Sequence, residues 1–220
     1  MNYFGLLENL FCLYNKLHGQ TLTPKQLLRR IRKQVPYSEC NIVLNQGLNL
    51  LPDQIWVAGL YDAELDEDGS VPIEIEIAVH KIRKDFYFDE TDVSLNTWAE
   101  FCLDFAAVLG HEFVHLHQFR RRQFKMCRPY ISEHANPQKR EQQIYYGDPD
   151  EIDAYAWTAA ANAIIETRPR KQTIESTQLY KVYTRLFDKQ DPVVVKFVSK
   201  ANSYLKKLEK QKNDTTSKQN

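Results

Sequence analysis

The stretch from about Thr97 to Phe124 constrains the fold more than any other part of the chain. Its apolar residues recur at helical spacing, with Phe101, Phe105, Val108 and Leu109 before, and Leu116 and Phe119 after, the segment His111-Glu112-Phe113-Val114-His115. That pattern predicts a helix packed against other elements rather than a free surface helix. Ser94 or Asn96 is placed to cap it. The remainder of the chain therefore has to cover a long helix that carries titratable groups in its middle.

Those groups are spaced with a physical consequence. Residues i and i+4 lie ~40° apart around a helix, so the imidazoles of His111 and His115 can face one metal ion. Glu112 lies beside such an ion without ligating it, where a carboxylate can accept a proton from water and pass it to a leaving amine. With six His and fifteen Glu among 220 residues, random order gives HExxH in roughly one such sequence per hundred. The competing reading is a surface helix with two stray histidines, and three of the six histidines falling between 111 and 117 count against it. His117 is ~200° around the helix from His115 and faces away. Asp104, two turns before His111 on its face, is expected either behind the ligands or as a core acid.

A zinc ion held by two histidines needs a third protein ligand and one open position. Glu151, in Asp148-Pro149-Asp150-Glu151-Ile152-Asp153-Ala154, is the leading candidate. It falls on the first turn of a later helix, and the small Ala154 three residues on permits a close approach. Asp148 with Glu151 also reads as a capping box, which needs no metal. Glu133, His134, Asp148, Asp150 and Asp153 stay open as alternatives.

Elsewhere the chain changes period twice. Residues 3–18 place Leu6, Leu7, Leu10, Phe11, Tyr14 and Leu17 on one helical face, and Thr23-Pro24-Lys25-Gln26 opens a second helix to about Gln34 with a capping box. Arg29, Arg30, Arg32 and Lys33 on that helix read as a solvated basic face. Asn41–Leu44, Ile55–Leu60 and the strictly alternating Ile73–His80 read as strands, and Asp66–Gly69 as a turn. Helical patterns return at about 149–166, 173–187 and 192–210, with Pro169 closing the first. The expectation is a single α+β domain over 1–210: N-terminal helices in 1–34, a small, mostly antiparallel sheet in 41–80, metal-site helices in 97–166 and C-terminal helices in 173–210. Residues 211–220 are expected to be a disordered tail.

Charge and cysteine usage bound the function. The 29 Lys+Arg balance the 29 Asp+Glu, which argues against a dedicated nucleic-acid binder. Cys12, Cys40, Cys102 and Cys127 form no CxxC pair and are expected to be buried, reduced thiols. The N-terminus has no basic region before its apolar stretch, which contains Glu8, so it does not read as a signal peptide, and no apolar run is long enough for a membrane span. Cytoplasm, or a particle assembled there, is the expected location.

The HExxH helix followed by a glutamate opening a later helix resembles the zincin metallopeptidases, most closely the compact gluzincin-like branch. The resemblance covers about residues 70–165. It implies His111, His115 and Glu151 as zinc ligands, Glu112 as general base, and Ile73–Val79 as the edge strand to which a peptide adds. Gln118 and Arg121 stand where the metzincin pattern HExxHxxGxxH requires Gly and His, and Ala135 and Tyr155 break the thermolysin-type pattern. Tyr145, Tyr146 and His134 are candidate donors to a developing oxyanion. The expected function is zinc-dependent hydrolysis of a peptide or protein substrate. The alternative is a zincin-like structural or interaction subunit of a larger protein assembly, viral or other, with Arg120–Lys125 as a contact stretch. Unaltered His111, Glu112 and His115 favour the enzyme.

Overall fold

Local capping signals set the elements in a computed structural model that describes residues 1–48, 55–62, 65–66, 70–123, 125, 138–165 and 173–216. The architecture is α+β, and the chain divides into two compact units, Met1–Glu112 and Phe113–Asn220.

In the first unit, helix α1 (Tyr3–Leu17) starts where the Asn2 side chain accepts a hydrogen bond from the Gly5 amide, and it buries Leu6, Leu7, Leu10, Leu13 and Leu17. A short strand β1 (Thr21–Leu22) leads into α2 (Pro24–Arg32), which opens on the expected capping box. The Gln26 amide donates to Thr23 Oγ1 at 3.3 Å, and the Thr23 amide donates to Gln26 Oε1 at 2.8 Å. Lys25, Arg29, Arg30 and Lys33 are exposed while Leu27 and Ile31 are buried, so the basic run is a solvated face. Arg32 turns back and donates to the carbonyl of Ile42.

Strands β2 (Cys40–Leu48), β3 (Ile55–Leu60) and β4 (Ile73–His80) form a three-stranded sheet in the order β2-β4-β3, with β2 parallel and β3 antiparallel to β4. The sheet is thus mixed. The alternation of β4 holds, with Ile73, Ile75, Ile77 and Val79 buried and Glu74 exposed. Its position differs from expectation: β4 is the central strand, and the edges are β2 and β3. Alternation reports that one face is buried and says nothing about how many neighbours a strand has. A second antiparallel pair joins β1 to β5 (Phe86–Tyr87).

Helix α3 (Leu95–Arg121) begins at Ser94, whose Oγ accepts from the Thr97 amide at 3.2 Å. It ends just before Gln123, whose φ of 54° breaks the helical ladder. Trp98 anchors its first turns: the ring is fully buried, and its indole N–H donates to the Leu10 carbonyl of α1 at 2.9 Å. Phe88, Trp98, Phe101 and Phe105 continue as a run of ring contacts through this core. Of the cysteines, Cys102 is buried and Cys40 half-buried, but Cys12 is exposed on the solvent side of α1, contrary to expectation. Burial pushes the Cys40 thiol up to about 12. Cys127 lies outside the described residues.

The second unit contains the end of α3, then α4 (Arg140–Gly147), α5 (Pro149–Ile165), a 3₁₀ turn at Ile174–Ser176, α6 (Gln178–Leu186) and α7 (Pro192–Thr216). Ala154, Ala156, Ala159, Ala160, Ala161 and Ala163 are all buried. This small-residue surface lets α7 pack closely on α5. Tyr183 of α6 stacks on Phe197 of α7 with ring centroids 4.0 Å apart. Helix α7 runs to Thr216, through part of the expected disordered tail, because no Pro or Gly interrupts its Lys- and Gln-rich end. Residues 67–69 of the expected turn and Pro169 lie outside the described residues. None of the described helices is long and apolar enough to cross a membrane.

Candidate metal centre

His111 and His115 stand one turn apart on α3, and Glu151 stands on the first turn of α5. One ligand atom from each lies within 4.8 Å of the other two, a group that could hold a metal ion. His115 Nε2 is 3.6 Å from Glu151 Oε1. Two donors about 2 Å from one tetrahedral ion would be about 3.3 Å apart, so this spacing suits a shared ion with little closure. The donor set, two imidazoles and a carboxylate, is one that borderline divalent metals accept.

The other acids near Glu151 are engaged elsewhere, which separates the alternatives left open by the sequence. Asp148 accepts from the Asp150 amide at 2.8 Å and caps α5. Asp150 forms a two-pronged pair with the guanidinium of Arg122. Asp153 accepts from Lys200 Nζ of α7 at 3.1 Å and from Gln118 Nε2 at 3.3 Å. Glu133 and His134 lie outside the described residues. Asp104 is exposed, with Glu100 and Tyr3 as its electrostatic neighbours, and His117 is exposed on the far side of α3, as its spacing implies.

Burial tunes the group. It raises the Glu151 carboxyl to about 7; the Tyr145 hydroxyl, hydrogen-bonded to it, opposes that rise, and the charges of Asp148 and Asp150 add to it. Burial also lowers the pKa of His115, with Gln118 and the acids Asp150 and Asp148 pulling the other way. The imidazole is thereby kept neutral, the form in which a ring nitrogen can bind a metal. Tyr145 is partly exposed, and its hydroxyl is 3.2 Å from that of Tyr155.

Glu112 is buried, and β3 crosses directly over it, with Gly59 at the point of approach. The sequence offered no sign of this contact, since a glycine inside a strand marks a close approach without naming what approaches. Gln118 was visible only as a departure from the metzincin pattern. Its position three residues after His115 puts it on the same helix face, and that spacing was the signal available. Tyr145 was among the three candidate donors and is the one whose hydroxyl meets the group. No family model, no curated protein and no solved structure matches this chain.

Proposed function

We propose that this chain is a zinc-dependent peptidase of the zincin type, with His111, His115 and Glu151 as zinc ligands and Glu112 as general base. The observation that carries the reading is the meeting of Glu151 with both histidines of the HExxH segment, across a gap of more than thirty residues in sequence. A bound zinc ion would supply Lewis acidity, polarising a peptide carbonyl and acidifying a water. Glu112 follows the first histidine by one position, next to the ligands but outside the group they form. Its carboxylate accepts the proton of the attacking water and delivers it to the leaving nitrogen. Tyr145, hydrogen-bonded to Glu151 and partly exposed, is the described donor best placed to steady charge on the carbonyl oxygen.

The substrate in this reading is an extended peptide segment. Strand β3 pairs only with β4 among the described strands, so its other edge offers backbone donors and acceptors, on the strand whose Gly59 rests against Glu112. This transfers to β3 the part that the sequence had suggested for Ile73–Val79.

Elemental analysis of the purified protein, beside His115→Ala and Glu151→Ala, tests the ligand set. About one zinc per chain in the parent, lost in both variants, is expected. Hydrolysis of casein or of a mixed peptide library, abolished in Glu112→Gln with zinc retained, is the second expected result. A parent that takes up no zinc overturns the reading. Zinc without cleavage of any peptide would instead favour the structural subunit.

A further inference from the structure

Gln118 is buried on α3 and touches both ligand-bearing helices. Its amide nitrogen lies 3.2 Å from the Asp150 carbonyl oxygen and 3.3 Å from Asp153 Oδ2, both on α5. Its amide oxygen lies 3.2 Å from Nδ1 of His115. The Asp150 carbonyl oxygen only accepts, and so does an ionised Asp153, which Lys200 holds by a hydrogen bond. An amide oxygen in the place of the nitrogen would face two acceptors with no proton between them. The nitrogen therefore points to α5 and the oxygen to His115.

This orientation has a consequence for the imidazole. A carboxamide oxygen accepts, so Nδ1 of His115 must carry the proton, and the lone pair of the neutral ring sits on Nε2. Nε2 is the atom that faces Glu151 Oε1. We propose that Gln118 is the positioning residue of the metal centre: it fixes the Nδ1–H tautomer of His115 and ties that histidine to the helix that presents Glu151. The proposal rests on the metal-centre reading above. A hydrogen-bond partner behind a ligating histidine commonly governs metal affinity by 10–100-fold when removed. Here one side chain holds the histidine with its oxygen and the neighbouring helix with its nitrogen.

The test begins without metal. In the uniformly ¹⁵N-labelled full chain, stripped with EDTA at pH 8, a long-range ¹H–¹⁵N imidazole spectrum assigns the tautomer of each histidine. His115, identified by its loss in His115→Ala, is expected as Nδ1–H with an unprotonated Nε2. Gln118→Leu and Gln118→Met, of similar size but without the amide oxygen, should both lose that preference. Zinc titration against a chromophoric chelator should then show Gln118→Leu binding roughly 10–100-fold more weakly than the parent. An Nε2–H tautomer in the parent, or undiminished zinc affinity in Gln118→Leu, overturns the proposal. If Gln118→Leu does not fold, the parent and Gln118→Met spectra still decide it. A parent that binds no zinc sinks the peptidase reading instead, while the metal-free tautomer still reports on Gln118.

Discussion

A Cβ on Gly59 would stand 2.6 Å from both Cγ and Oε1 of Glu112 and 2.8 Å from Cγ1 of Val108. No side chain fits there without moving the carboxylate proposed as general base. Val108 and Glu112 share one face of α3, so the backbone of β3 rests on that face at the one residue of the strand that has no side chain. The requirement is for space.

Gly59→Ala is accordingly expected to push Glu112 aside while leaving His111, His115 and Glu151 in place. Peptide hydrolysis should fall by about 10²-fold, the usual cost of misplacing a catalytic group by ~1 Å. Zinc content should not change. Loss of zinc together with activity would mean that the strand supports the ligands rather than the base.

Metal affinity should depend on pH through Glu151. Its carboxyl titrates at about 7 in the folded, metal-free chain, so at pH 6 a proton competes with the ion and at pH 8 it does not. His115, whose pKa is lowered by burial, titrates below Glu151. Zinc affinity measured by chelator competition should rise by up to about tenfold per pH unit below 7 and flatten above it. A flat response between pH 6 and 8 would remove Glu151 from the ligand set.

The same carboxyl imposes a stability cost when no metal is bound. Its folded pKa is raised from the ordinary 4.5 to about 7, so the folded state holds the proton more tightly than the unfolded one. The penalty is therefore full above pH 7 and shrinks as pH falls toward 4.5. Metal-free Glu151→Gln should melt at or above the parent at pH 8, by the equivalent of about 1–2 kcal/mol, and the difference should narrow by pH 5. Calorimetry in EDTA reads this directly, and a variant less stable than the parent at pH 8 would contradict it.

Arg122 and Asp150 form a largely buried pair. Arg122→Met leaves the Asp150 carboxylate buried without its guanidinium and should cost about 3 kcal/mol in urea unfolding. Asp150→Asn, which leaves the more exposed partner behind, should cost less. Arg122→Met combined with Asp150→Leu should recover part of the loss, because two apolar groups need no desolvation offset.

What could be read from the sequence was local. The alternation in Ile73–His80 and the capping box of Thr23 with Gln26 depend on neighbours in the chain, and those elements stand where they were expected. His111, His115 and Glu151 could be nominated because helix periodicity fixes the first two and the third opens a helix of its own. The central place of β4 was not legible, since strand order depends on which distant segments pair. Helix α4 (Arg140–Gly147) was missed because its polar sequence gives little periodicity. Gln118 escaped for a related reason: its partners Asp150, Asp153 and His115 become neighbours only once two helices are packed.

All three members of the candidate metal group belong to regular helices, and their ligand atoms already lie within 4.8 Å of one another. An ion arriving there has almost no chain left to order, so its binding energy goes into residence time rather than into building the fold. Chelation should empty the site and leave the architecture standing, ready to be refilled. A site built this way would keep its shape between occupancies, and a metal bound there could come and go as a guest.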